Sequence, residues 1–194
     1  MSLLLQGKHV WLREMTPDDL GAVLEVYNSH PAYNLWRNGT AALSLAELEQ
    51  EYKAMLDIPS GHWMIVKTVE TAQTAETAQT AETAQTAHAA KPEPKIIGVV
   101  HFSTAHPSPG KGWIGLFLIH RDCQGQGFGR EACSLLEQYC AEQGCSQLHL
   151  GVIAEDEQTL RFWGKLGFEQ YRQVTAPVGR LTQPVLLLAK QIAD

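Results

Sequence analysis

"CQGQGFGR", residues 123–130, sets three glycines at alternate positions. It follows the apolar run "WIGLFLI" (113–119) and precedes a segment with helical period. Glycines remove the Cβ atoms that keep a bound group away from the backbone. A helix that begins at such a loop adds free N–H groups and roughly half a positive charge. Strand, loop and helix together describe an anion cradle, flanked by Arg121 and Arg130. A Rossmann fingerprint needs G-x-G-x-x-G at the first strand and an acid about 20 residues on. Here the spacing is G-x-G-x-G, deep in the chain. A P-loop needs G-x-x-x-x-G-K-[ST], which is absent. The remaining readings are a loop whose amides hold a pyrophosphate, or a plain glycine-rich turn.

Outward from the loop, Phe128, Ala132, Leu135, Leu136, Tyr139 and Cys140 form one face of a helix closed by Gly144. "SQLHLGVI" (146–153) alternates as a strand, "DEQTLRFWGKLGF" (156–168) is a helix ending at Gly167, and "EQYRQV" and "PVLLLAKQI" are two more strands. On the N-terminal side, "HVWLREM" (9–15) reads as the first strand. Thr16 caps a helix with Pro17 at its first position, running to about Asn28 with Leu20, Val23, Leu24 and Tyr27 on one face. "HPAYNLWRNG" (30–39) reads as a loop. Ser44 and Glu47 form a capping box for a second helix. "HWMIVKTV" (62–69), "KIIGVVHF" (95–102) and "GWIGLFLI" (112–119) are strands. The order β-α-α-β-β-β-α-β-α-β-β predicts an α/β (α+β) fold: one mixed sheet with helices on both faces.

Between two of these strands lies "ETAQTAETAQTAETAQTA" (70–87), three copies of a hexad whose only apolar residue is Ala, followed by "HAAKPEPK". It builds neither a strand nor a helical stripe, so residues 70–94 read as a low-complexity insertion in a hairpin loop. The chain of 194 residues is 44% hydrophobic and 19% charged, with a net charge of −6 and no Lys/Arg cluster. That profile argues against a nucleic-acid groove. No signal-peptide pattern and no apolar run near 18 residues occurs, so no membrane partner and a cytoplasmic location are expected. Cys123, Cys133, Cys140 and Cys145 contain no C-x-x-C pair, and no metal is expected. Cys133 and Cys140, seven apart on a helix, lie about 10 Å from each other, too far for a disulfide. The four read as free thiols.

At this point the sequence resembles the GNAT superfamily of N-acetyltransferases. Gln124-x-x-Gly127-x-Gly129 fits that family's Q/R-x-x-G-x-G/A signature, and "LIHRDCQGQGFGREACSLLEQYC" is similar to its acetyl-CoA-binding strand, loop and helix. "DEQTLRFWGKLGF" is similar to its second signature, an Asn followed by an aromatic pair and a closing Gly-Phe. The resemblance implies one GNAT-like domain over 1–194, with a mostly antiparallel central sheet. It implies acetyl-CoA as co-substrate, direct transfer to a primary amine in a ternary complex, and an acceptor that is a small molecule or a protein N-terminus. A homodimer is also possible within it. Two positions depart from the family pattern. Asp156 stands where the family has Asn, and Trp163 stands where its Tyr protonates the departing thiolate. An indole N–H is a poor acid. A non-catalytic acyl-CoA-binding regulatory module is therefore the alternative function.

The resemblance assigns cofactor binding to Leu118, Ile119, Gln124, Gly125, Gln126, Gly127, Phe128, Gly129, Arg130, Asp156 and Trp163. The amides of the loop meet the pyrophosphate, the strand edge at Leu118 and Ile119 meets the pantetheine arm, and a backbone N–H near Leu118 meets the thioester oxygen. Trp163 and Phe162 read either as core or, for Trp163, as a channel wall. A base is needed to neutralise the amine, and "WIGLFLI" carries no carboxylate. His101 and His120 are the nearest candidates. Tyr171 is a possible proton donor and Cys123 a possible nucleophile beside the loop. A thiolate whose pKa lies near 8.5 leaves with little help. Trp36 and Arg37 fall where the family lines its acceptor site, with Arg37 either meeting an acceptor carboxylate or solvated.

Overall fold

The computed structural model describes residues 3–58, 60–68 and 94–192. Its eight strands belong to one sheet. They are β1 (Leu4–Gln6), β2 (Val10–Glu14), β3 (Gly61–Thr68), β4 (Ile96–Ser103), β5 (Lys111–Ile119), β6 (Gln147–Ile153), β7 (Glu169–Val178) and β8 (Leu181–Gln191). They lie in the order β1-β2-β3-β4-β5-β6-β8-β7. Every neighbouring pair is antiparallel except β5 and β6, which run parallel. The mixed, mostly antiparallel sheet expected from the sequence is therefore the observed one.

Five α-helices connect the strands: α1 (Leu20–Asn28), α2 (Pro31–Asn38), α3 (Leu45–Leu56), α4 (Phe128–Glu142) and α5 (Glu157–Lys165). Their starts follow local chemistry. Ahead of α1, the Thr16 N–H and hydroxyl both donate to Asp19 Oδ2, closing a 3₁₀ turn that begins with Pro17. At α3 the Ser44 N–H donates to Glu47 Oε2 and the Glu47 N–H returns to Ser44 Oγ. Asp156 caps α5 by accepting from the Thr159 N–H at 3.0 Å.

Strand alternation divides the interior into two cores, one on each face. On one face α4 and α5 cover Val10, Leu12, Val100, Phe102, Ile114, Leu148 and Leu150. On the other α1 and α3 cover Trp63, Ile65, Val99, Leu116 and Leu118. Within α4 the buried line is Ala132, Cys133, Leu136 and Cys140, while Leu135 and Tyr139 pack at its margin. Cys123, Cys133, Cys140 and Cys145 are all free thiols. Burial pushes the Cys140 thiol up to about 12.

Two elements differ from the sequence reading. Residues 30–39 are not a loop: Pro31 sits at the first helical position and Gly39 closes α2 in a left-handed conformation. The short edge strand β1 precedes the strand expected to come first. The insertion at 70–94 falls, except for Pro94, outside the described residues. Its frame is visible, since β3 and β4 form a hairpin whose last pair joins the Thr68 N–H to the Lys95 carbonyl at 3.1 Å.

Candidate functional site

The parallel strands β5 and β6 are paired only from Lys111 with Gln147 to Ile114 with Leu150. Beyond that point β5 stays with β4 and β6 stays with β8. The sheet therefore forks in its middle. A bulge helps to turn β5 aside: Ile114 and Leu116 oppose Phe102 and His101, leaving Gly115 without a counterpart. In an extended strand, successive backbone groups point to alternate edges. The His120 N–H donates to the Ile97 carbonyl on β4 at 2.7 Å. Leu118 shares that direction, whereas the backbone groups of Phe117 and Ile119 face the fork. The Ile119 carbonyl is held there by the ring Nε2 of His30 at 2.9 Å and the Gln124 side-chain amide at 3.2 Å. The strand-edge donors expected near Leu118 are thus those of its two neighbours.

At the end of β5 the chain enters the glycine loop. Backbone N–H groups from Gly125 to Arg130 meet no acceptor among the described residues. Gly125 and Gly127 have φ of +75° and +89°, and a Cβ on either meets nothing within 4 Å. Their glycine requirement is conformational, and the space beside them is open. Gly129 is different: it lacks a left-handed φ, and a Cβ there would make an ordinary contact with the Phe162 ring at 3.4 Å. The side chains of Gln124 and Gln126 tie the loop to the Ile119 and Asp122 carbonyls, leaving the main chain to face outward. Phe128 packs on the α4–α5 core while Arg130 is exposed.

A forked sheet ending in six free amides at a helix start accommodates a peptide-like arm that carries a pyrophosphate. Residues 45–168 match the acetyltransferase (GNAT) family. The chain belongs to that family. Several solved structures share the fold. An acetyltransferase from Thermus thermophilus superposes with a TM-score of 0.65 at 17% identity, covering 97% of this chain and 99% of that one. A GNAT-family acetyltransferase from Bacillus anthracis gives 0.68 at 12% identity, over 99% and 100% of the two chains. Spermidine N-acetyltransferase from Vibrio cholerae, solved in complex with CoA and spermine, gives 0.65 at 16% identity, over 94% and 95%. No curated protein matches the chain. The GNAT family uses acetyl-CoA, and the chain is an acyltransferase.

In this GNAT chain the α1–α3 face of the fork, exposed at Gly115 and Gly151, is the candidate cleft. Leu148, Leu150 and Val152 of β6 point to the α4 side, so His149 and Gly151 point into the cleft. Gly115 and Gly151 are exposed residues on central strands and form its floor. His101 of β4 stands at one side, 2% exposed and 5.4 Å from the Trp63 ring. Neither of its ring nitrogens, nor Trp63 Nε1, has a hydrogen-bond partner among the described residues. Burial, with His62 adding to it, pulls the His101 imidazole down to about 4. His120 sits outside this cleft, at the loop, where its Nδ1 accepts from the Asp122 N–H at 3.3 Å. The structure therefore separates the two candidate bases.

Trp163 lies on the opposite face, 4% exposed, with the rings of Phe117, Phe162 and Phe168 all within 5.3 Å. Arg37 is not solvated: its guanidinium, 7% exposed, forms a fork on Glu51 at 2.9 and 3.0 Å between the Tyr27 and Tyr33 rings. Trp36 is half-buried, and its carbonyl accepts from the Gln183 amide of β8. Sequence reasoning missed His30 and His149. His30 lay in a segment read as a loop, and His149 was one polar residue inside an alternating strand. No group of His, Cys, Asp or Glu able to hold a metal occurs among the described residues. No helix among them is long and apolar enough to cross a membrane.

Proposed function

We propose that this protein moves the acetyl group of acetyl-CoA to a primary amine by direct attack in a ternary complex. The observation that carries the reading is the fork in the sheet, continued by the row of free amides from Gly125 to Arg130. Those amides and the α4 N-terminus would hold the pyrophosphate, with Arg121 and Arg130 adding local charge. The edge at Phe117 and Ile119 would take the pantetheine amides. Acetyl-CoA supplies an activated thioester carbonyl, and the chain's contribution is placement beside the acceptor amine and donors for the developing charge. Asp156 caps α5 beside the fork, and Trp163 with Phe117 backs the channel. Trp36 and the cleft-facing side of α2 line the acceptor side, while Arg37 shapes that wall through Glu51. The acceptor is a small molecule or a protein N-terminus.

Of the two candidate bases, His101 has the better position. Its ring lies against the backbone of Gly115, and a Cβ there would sit 3.0 Å from Nδ1. It is unprotonated at neutral pH, so once the acceptor displaces the side chains that bury its ring nitrogens it can accept a hydrogen bond from the attacking amine. His120 is placed to orient the loop. The whole chain acts as one domain, with the insertion in the connection between β3 and β4.

Trp163, buried among phenylalanines, takes the place of the family's acid and favours a second reading, an acyl-CoA-binding module without turnover. Acetyl-CoA consumption over a panel of primary amines separates the two. Turnover on one or more amines supports transfer; tight CoA binding with no turnover on any amine supports the module.

A further inference from the structure

The α1–α3 side of the fork holds a chain of polar groups that the proposed reaction has so far left unused. Gln147 and His149 lie on β6 and Tyr171 on the outer strand β7, reaching across the small Ala189 of β8, which pairs with His149. The His149 Nε2 meets the Gln147 Oε1 at 3.2 Å, and its Nδ1 meets the Tyr171 hydroxyl at 3.3 Å. A carbonyl oxygen only accepts, so Nε2 carries the proton. Nδ1 is then the acceptor, and the tyrosine donates to it. The imidazole is 5% exposed while Tyr171 is 52% exposed. The relay thus has a buried end and an open end.

Its position is the second observation. His149 is in register with Trp113 of β5, and the next pair, Ile114 with Leu150, is the last before the strands separate. Beyond His149 on the same face comes the exposed Gly151, where an added Cβ would meet the side chains of Val185, Leu187 and Trp113. The Tyr171 hydroxyl, 3.3 Å from His149 Nδ1, lies on this face just short of the point where β5 and β6 separate. The groups around His149 are Gln147 on its own strand, Lys111 and Trp113 on β5, His106 on the β4–β5 connection and Tyr171 on β7. Burial, then Lys111 and His106, hold the His149 imidazole below the ordinary histidine range. It is therefore neutral and able to accept at pH 7.

Resting on the acetyltransferase reading above, we propose that Tyr171, His149 and Gln147 form the proton outlet for the acceptor amine. An ammonium N–H passes its proton to the Tyr171 oxygen as the Tyr171 hydroxyl proton passes to His149 Nδ1. One N–H bond of the ammonium breaks and one N–H bond forms on the imidazole. The amine is left neutral and tyrosine is regenerated; the imidazolium, its Nε2–H held by Gln147, then returns the Nδ1 proton through the exposed Tyr171 hydroxyl to water, which restores the resting tautomer. Tyr171 is then a catalytic residue, and His149 and Gln147 act through it. His101 receives the hydrogen bond of the neutral amine rather than its proton.

The test pairs kinetics with a measurement that needs no coenzyme. In the CoA-free protein at neutral pH, ring-nitrogen NMR should show His149 protonated at Nε2 and bare at Nδ1, with the Nδ1 resonance moving when Tyr171→Phe removes the hydroxyl. Protonation at Nδ1 instead overturns the relay. With the best amine of the panel, Tyr171→Phe should lower kcat about 100-fold and alter the acid limb of the pH–kcat/KM profile. CoA affinity and melting temperature should stay at wild-type values. Turnover by the variant within about threefold of wild type, with the same acid limb, sinks the relay alone. Absence of turnover by the wild-type protein on every amine sinks the transferase reading and the relay's role with it.

Discussion

Single residues in this protein carry quite different loads, and substitution separates them. Gly127 holds a φ of +89° in open space at the start of α4. Gly127→Val should therefore raise the CoA dissociation constant about tenfold or more by displacing the amide row, read by calorimetry; unchanged affinity would remove the loop from the coenzyme site. Arg37 is buried and its partner Glu51 half-buried, and the Tyr27 hydroxyl also donates to Glu51 at 2.8 Å. Glu51→Ala leaves a buried guanidinium without its counter-charge and should cost about 3–5 kcal/mol in urea denaturation. His101 has a sign that can be worked out. Its imidazole titrates near 4 in the fold and near 6.5 when unfolded, so between these values the unfolded chain binds more protons. Its contribution to stability is complete above about pH 6.5 and is lost as pH falls through that window to about 4. His101→Phe should flatten the stability–pH curve there by up to about 3 kcal/mol; an unchanged slope would contradict the buried, neutral ring.

At the scale of elements, the glycine loop and its two flanking elements were legible because each signal is local: an apolar run, glycines at alternate positions, then a helical stripe. The capping residues Thr16 and Ser44 were legible for the same reason. Helix α2 was not, although Pro31 and Gly39 mark its ends, because Tyr33, Leu35 and Trp36 give no clean stripe. Its burial comes from Asn34 and Arg37, polar residues whose partners lie outside the helix, in Tyr27 and Asn28 of α1, the Ala41 carbonyl and Glu51 of α3. The fork was beyond sequence pattern altogether. It arises where a bulge at Gly115 meets a parallel pairing that stops at Leu150, and neither partner strand encodes the other's register. The same limit explains His149: its significance depends on Tyr171, 22 residues away on a strand two places across the sheet. Because the fork leaves backbone groups without strand partners, a ligand that fills it should stabilise the fold. CoA at 100 times its dissociation constant should add about 2.7 kcal/mol, seen as a rise in melting temperature that NAD and ATP do not reproduce.

For the whole molecule, the division of labour follows the sheet. One face, roofed by α4 and α5, is a continuous apolar core; the other is opened by Gly115 and Gly151 into a cleft. The hexad repeat lies along the chain between β3 and β4, whose strands are paired up to Thr68 and Lys95. Deletion of residues 70–90 should leave CoA affinity within about twofold of wild type, since loop length by itself costs little; a larger loss would place the repeat against the coenzyme. That hairpin also divides the parts of the cleft along the chain. Everything before Thr68 is three strands and the three helices that roof the cleft. Everything after Lys95 holds the fork, the phosphate loop, both cleft histidines and Tyr171. Exchange of the part before this connection would change the roof over the acceptor and would also remove His30 and Ser29, which hold the Ile119 carbonyl and the Arg121 N–H, so selectivity and coenzyme binding are coupled through those two contacts.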